Sequence, residues 1–352
     1  MRLSRRAFGR LAMVGGPAVA AACGRPTHRR SPGPGVGFVL SHEQFGTSQL
    51  VEQAVAAEQA GFQHVWASDH LQPWQDNEGH AMFPWLTLAL VSQRTSHVSL
   101  GTGVTCPSYR YHPATVAQAF ASLTLLAPGR VFLGLGTGER LNEQAGTGQW
   151  GPYTERRDRL IEAIQLIRQL FTGQRISFRG RYFQTQQLKL YDRPDSPPPI
   201  FVAASGPKSA QVAGQYGDGW ITQAAELSKA PLLAALARGA QASGRDPASL
   251  AKRAEMFTVV GDHDEITRAA ELWRFTAGAV DQPNPVDIQR AAQVNPLDKV
   301  IGGWTTGTDP APHIAAVQTI LDAGATPFVH FPQRDPTAAI EFYRDHVLGQ
   351  LR

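Results

Sequence analysis

The residues best suited to chemistry stand in Ala67-Ser68-Asp69-His70-Leu71-Gln72-Pro73-Trp74. The apolar run His64-Val65-Trp66 before them reads as a buried strand, so Asp69 and His70 fall where strand gives way to loop. Pro73 keeps that loop out of helix. A second carboxylate, Glu139, follows another apolar run in Gly134-Leu135-Gly136-Thr137-Gly138-Glu139. A histidine and a carboxylate on neighbouring strand ends can divide the roles of base and acid, once their surroundings tune them. Trp74 can cover the reacting centre or stabilise a cation over its ring. Taken alone, Asp69 could equally cap the next element and His70 could be a surface histidine.

Such residues need a scaffold that brings strand ends together. Eight short apolar runs alternate with helical patterns. They begin at Val36-Gly37-Phe38-Val39-Leu40 and continue with His64 to Ala67, Val98 to Val104, Val131 to Gly136, Pro199 to Ala204, Gly219 to Thr222 and Met256 to Val260, and they end at Pro327 to Phe331. Alternation of this kind implies a parallel sheet covered by helices. Eight units over a chain of this length predict an α/β fold of the (β/α)₈ TIM-barrel type, with insertions. Residues 175–191 alternate around Arg179-Gly180-Arg181 and predict a β-hairpin insertion. In a barrel every carboxyl strand end faces one mouth. Here those ends carry Gly101-Thr102-Gly103-Val104, Gly134-Leu135-Gly136-Thr137-Gly138 and Ala203-Ala204-Ser205-Gly206. Glycines on one rim suggest a flat ligand against backbone. Ser205-Gly206 opening a helix offers amides to an anion. The spacing Gly134-x-Gly136-x-Gly138 is not the dinucleotide fingerprint, and no acidic residue closes a second strand about twenty residues on.

Composition narrows the classes. The chain has 352 residues, 42% hydrophobic and 18% charged, with a formal charge of +4. These values suit a globular enzyme and not a disordered chain. Arg2, Arg5, Arg6, Arg10, Arg25 and Arg29 all lie near the start and no interior basic run exists, so no nucleic-acid partner is expected. Two cysteines, Cys23 and Cys106, exclude a disulfide framework, and no Cys/His spacing suits a metal. Ser4-Arg5-Arg6-Ala7-Phe8, an apolar run from Leu11 to Ala22 and Cys23 read as a twin-arginine export signal, with a linker to residue 34. Ala20-Ala21-Ala22-Cys23 resembles a lipoprotein box, though without the usual Leu, so lipidation of Cys23 at a membrane surface and plain cleavage are both open. Residues 35–352 are expected to form one barrel domain.

Several segments together resemble a known family. They are Ser68-Asp69-His70-x-Gln72-Pro73-Trp74, Thr102-Gly103-Val104, Arg110-Tyr111-x-Pro113-Ala114, Arg130-Val131-Phe132-Leu133-Gly134-x-Gly136-Thr137-Gly138-Glu139-x-Leu141-Asn142-Glu143 and Gly217-Asp218-Gly219. The chain resembles the F420-dependent glucose-6-phosphate dehydrogenases among the luciferase-like oxidoreductases. Its leader resembles their exported branch, the hydroxymycolic acid dehydrogenases. The resemblance implies coenzyme F420, a deazaflavin, as cofactor, and a small-molecule or lipid secondary alcohol as substrate, oxidised to a ketone. A homodimer is expected. It implies cofactor contacts at Asp69, Gly103, Val104, Cys106, Thr137, Gly138, Asn142, Ser205, Gly206, Lys208 and Ser209, with a cis peptide at Gly103-Val104. It implies His70 as base, Glu139 as proton donor to the cofactor and Trp74 as shield. Gln223 and Glu226 stand where the sugar-phosphate enzymes hold phosphate, as do Gly302 and Gly303, with Arg334 the nearest candidate for the remaining cation. Glucose 6-phosphate is therefore not the expected substrate, and a hydrophobic alcohol is. Two other classes stay open: an FMN-dependent monooxygenase of the same barrel type, and an exported capture protein without turnover.

Overall fold

The computed structural model describes residues 35–278 and 281–352. The twin-arginine pattern, Cys23 and the linker lie outside the described residues. Nine parallel strands follow in chain order: β1 (Gly37–Leu40), β2 (His64–Ala67), β3 (Ser99–Thr102), β4 (Val131–Leu135), β5 (Ile200–Ala203), β6 (Gly219–Gln223), β7 (Ala251–Val259), β8 (Thr305–Thr306) and β9 (Ala325–His330). Strands β1 to β7 pair in sequence order apart from a gap between β1 and β7. That gap is filled by β9, which pairs with both. Eight strands therefore close a barrel, the predicted TIM architecture. The ninth, β8, lies off the ring against the end of β7; two residues are too short to leave a periodic signature. The predicted hairpin insertion doubles back through two isolated antiparallel bridges, Ile176 with Leu188 and Arg179 with Gln184, without a regular ladder.

Helices return the chain from each strand. Pro84, Pro113, Pro207, Pro285, Pro310 and Pro336 each stand in the first turn of a helix. There the fixed φ is already helical and the missing N–H costs nothing. Proline thus starts these helices and does not interrupt them. Between β7 and β8 the chain forms three helices, His263–Leu272, Pro285–Ala292 and Leu297–Ile301. An additional helix, Arg140–Thr147, carries residues of the rim.

Alternation along the strands sends one set of side chains inward. Val39, Trp66, Phe132, Phe201, Ile221 and Phe328 fill the barrel, with Trp66 stacked on Phe328 at 3.8 Å. Arg253 of β7 is buried among them, its guanidinium 3.7 Å from the ring of Phe132 and 3.8 Å from that of Phe201. Burial draws this guanidinium down to about 9, and the ring faces supply the attraction that water would otherwise give. The second, larger core lies between barrel and helices.

The glycines of β3 and β4 have a packing reason. A Cβ on Gly134 would lie 1.9 Å from the Thr102 carbonyl oxygen, and one on Gly101 would lie 2.2 Å from that of Phe132. A Cβ on Gly103 would meet the Trp66 ring at 2.7 Å, and one on Gly136 would meet Val104 at 2.7 Å. These positions make room for neighbouring protein atoms, and two of them, Gly103 and Gly136, also line the cleft.

Candidate active site

Strand ends β3, β4 and β5 form one wall of an open cleft of about 740 Å³. Gly103, Val104, Gly136, Thr137 and Ala203 line this wall, and Trp74, Glu139 and Tyr153 stand around it. The Gly103–Val104 peptide is cis. Beyond Ala203 the cleft reaches Ser205 and Ser209, at the start of helix Pro207–Tyr216. That helix is capped by Gly206, and its first-turn amides have no intrahelical acceptor. A Cβ on Gly206 would find nothing closer than Ser209 Oγ at 4.0 Å, so backbone is approachable there. Lys208 is exposed beside it. The Tyr153 hydroxyl is buried without a partner.

Of the predicted catalytic residues, Trp74 and Glu139 line the cleft, and His70 adjoins them through Asn142 and the Trp74 ring. Asn142, fully buried on helix Arg140–Thr147, joins them. Its Oδ1 accepts from the Leu71 amide at 2.7 Å. Its Nδ2 therefore faces His70 Nδ1 at 3.0 Å and Glu139 Oε2 at 3.3 Å. An amide N–H₂ only donates, so Nδ1 of His70 is an acceptor and the ring proton sits on Nε2. Nε2 in turn lies 3.5 Å from Oε1 of Glu43. Sequence reasoning does not single out Glu43; Ser41-His42-Glu43 reads only as loop after β1. The available signal is position, a carboxylate three residues past a strand on the same rim. Glu43 is 2% exposed, and its Oε2 accepts from Ser41 and Ser68. Burial alone would raise this carboxyl; the His70 ring and the Ser68 hydroxyl outweigh it and hold it below its usual range. The Trp74 ring is 5.1 Å from that of His70 and stacks on Phe275 at 4.8 Å.

Several expected cofactor contacts have other roles. Asp69 is 1% exposed. It accepts from Thr105 Oγ1 at 2.6 Å, Tyr111 Oη at 3.0 Å and Arg110 Nη2 at 3.1 Å, so it braces the loop after β3 and does not line the cleft. The Cys106 thiol is buried under Glu139, 3.9 Å from Oε2, and burial pushes it well above the usual thiol range. Asn142 orients its neighbours from behind. Gly138 has φ +87°, and a Cβ there would lie 2.7 Å from Glu143, so it turns the chain toward Glu139. Arg334 lies in grooves on the outer face with Phe45 and Gln49, away from the cleft, and Glu226 pairs with Lys229 at 2.8 Å.

Burial also sets the acid response. It draws His42 down to about 4 and His64 down to about 3, and raises Glu143 to about 7 and Glu78 well up. Below about pH 6.5 the unfolded chain takes protons on His42 and His64 that the folded chain refuses, and burial lowers His112 and His313 in the same direction. Glu143 takes its proton in the fold near pH 7 and offsets part of this. Below about 4.5 Glu43, held below its usual range, adds to the deficit, so stability falls as pH drops. Thermal melts followed by circular dichroism should give a midpoint that declines from about pH 6.5 and falls steeply by pH 3. A midpoint level down to pH 4 would show that these histidines accept protons inside the fold.

A profile of luciferase-like monooxygenases matches residues 29–326. The chain belongs to the luciferase-like monooxygenase family. Within the family it is 67% identical, over 99% of both chains, to an F420-dependent hydroxymycolic acid dehydrogenase of Mycobacterium tuberculosis. It is 41% identical to an F420-dependent glucose-6-phosphate dehydrogenase of Nakamurella multipartita, over 90% of this chain and 96% of that one. Among solved structures, an F420-dependent secondary alcohol dehydrogenase in complex with an F420-acetone adduct superposes with a TM-score of 0.85 at 29% identity, covering 90% of this chain and 98% of that one.

Proposed function

We propose that this protein is an F420-dependent dehydrogenase that oxidises a secondary alcohol to a ketone, with hydroxymycolic acid as the substrate and the cell envelope as its place of work. The observation that carries the reading is the linked set Glu43, His70, Asn142 and Glu139, of which Glu139 lines the cleft. Its relationship to the dehydrogenases above supports the choice of alcohol oxidation over oxygen chemistry. The leader and Cys23 support export, with Cys23 as a lipid anchor.

The residues present suit F420. The flat wall over Val104, Gly136 and Ala203 accepts a planar ring. Ser205, Ser209, Lys208, the unpartnered Tyr153 hydroxyl and the first-turn amides suit a polar anionic tail. When bound, F420 supplies a ring that accepts hydride. The chain supplies position and protonation. Where the resemblance implies His70 alone as base, the contact of His70 Nε2 with Glu43 supports a His70–Glu43 pair in that role. Nδ1 is already used by Asn142, so His70 presents Nε2–H to the substrate oxygen. The ionised Glu43 beside it is the acceptor for the hydroxyl proton. Glu139 has Oε2 held by Asn142 and leaves Oε1 to move a proton at the cleft wall. Trp74 screens the pair from water.

Titrating the purified protein with F420 and, separately, with FMN tests the cofactor, following tryptophan fluorescence. Saturable quenching by F420 and none by FMN is expected. FMN binding with oxygen uptake would move the protein to the monooxygenases, and binding of neither would favour ligand capture without turnover.

A further inference from the structure

The wall opposite the glycine-bearing strands is built differently. Gln223 ends β6, Glu255 is inward on β7 and His330 ends β9. Gln223 Nε2 donates to Glu255 Oε2 at 2.7 Å, and His330 Nδ1 donates to Glu255 Oε1 at 2.9 Å. His330 is itself fixed, its ring 4.5 Å from Phe257 and 4.6 Å from Trp273, with side-chain exposure of only 3%. Its Nε2 is buried without a partner. Glu255 is held from both sides, yet it lines the cleft with 19% of its side chain exposed. Each of its oxygens accepts one bond from protein and has capacity for another. Among the described residues that line the cleft, none is Lys or Arg and two are carboxylates, Glu139 and Glu255.

We infer that Glu255, positioned by Gln223 and His330, is a specificity-determining residue that admits uncharged alcohols, accepts a hydrogen bond from their donors and rejects anionic ones. The inference rests on the alcohol-oxidation reading. A carboxylate or phosphate on the substrate would enter a cleft with no cation to pair with and would lie against a fixed carboxylate. Ring faces of Phe257 and Trp273 behind His330 keep this wall from swinging away to relieve the repulsion.

The test uses the F420-loaded protein and a matched pair of substrates, 3-hydroxybutyrate and its ethyl ester, with reduction of F420 as the signal. The wild type is expected to prefer the ester in kcat/KM by about tenfold or more, the order expected for a like charge a few ångströms away at intermediate dielectric. Glu255→Gln should lower that preference about tenfold, chiefly by improving KM for the acid, and Gln223→Arg should shift it the same way by adding a cation at the same wall. Equal preference in the wild type and both variants would overturn the inference. So would a wild type that takes acid and ester alike. If the wild type binds F420 but oxidises no neutral alcohol, the alcohol reading itself fails, an outcome distinct from an unchanged preference among active enzymes.

Discussion

Replacing His70 with alanine is expected to lower kcat by about 10²–10⁴-fold, the usual share of a positioned acid–base group, while the dissociation constant for F420 stays near its wild-type value. The ring contacts Asn142, Glu43 and Trp74 and is not among the residues that line the cleft with Ser205 and Ser209, so its loss should leave cofactor binding alone. It does remove the Nε2–H donor and breaks the link between Asn142 and Glu43. Glu43→Gln is the decisive companion. If the pair takes the proton, the substituted amide keeps the Ser41 and Ser68 contacts but cannot accept a proton, and kcat should fall by a comparable factor of about 10² or more. Full activity in Glu43→Gln would return the role of base to His70 alone. Steady-state kinetics with a small secondary alcohol, together with F420 titration, separates these outcomes.

Replacing Arg110 with methionine should destabilise the fold by about 3–5 kcal/mol, the range for removing one partner of a buried ion pair. Arg110 has a side chain 9% exposed. It lies 3.1 Å from Asp69 and 3.7 Å from Glu143, both fully buried. It also donates to the Asp69 carbonyl at 3.0 Å and packs over Tyr111 at 4.3 Å. Methionine fills similar volume, so the loss reports charge more than cavity. Urea denaturation should show a lower midpoint at unchanged slope. Adding Asp69→Asn and Glu143→Gln to the same chain should recover part of the loss, because the stranded carboxylates are then gone. No recovery would mean that Arg110 acts through packing. The site would follow the fold, since Asn142 adjoins Glu143 and His70 adjoins Asp69.

The barrel, the approximate positions of its eight strands, and the placing of His70, Trp74 and Glu139 at strand ends were legible in the sequence. Periodicity and strand–helix alternation are local properties, and a parallel barrel sends every carboxyl end to one mouth. The proline-started helices and two-residue β8 were less legible, because the first depend on exact position within a turn and the second has no period. Tertiary structure alone decided the chemistry's details. Glu43 reaches His70 only because β1 and β2 are neighbours. Asn142 fixes the His70 tautomer because its own orientation is set by an amide 71 residues away. Asp69 and Cys106 match a ligand-binding motif, but the fold buries both and satisfies Asp69 with protein donors. Glycines at 101, 103, 134 and 136 read alike in the sequence, but packing separates them: neighbouring protein atoms crowd all four, and only 103 and 136 also line the cleft.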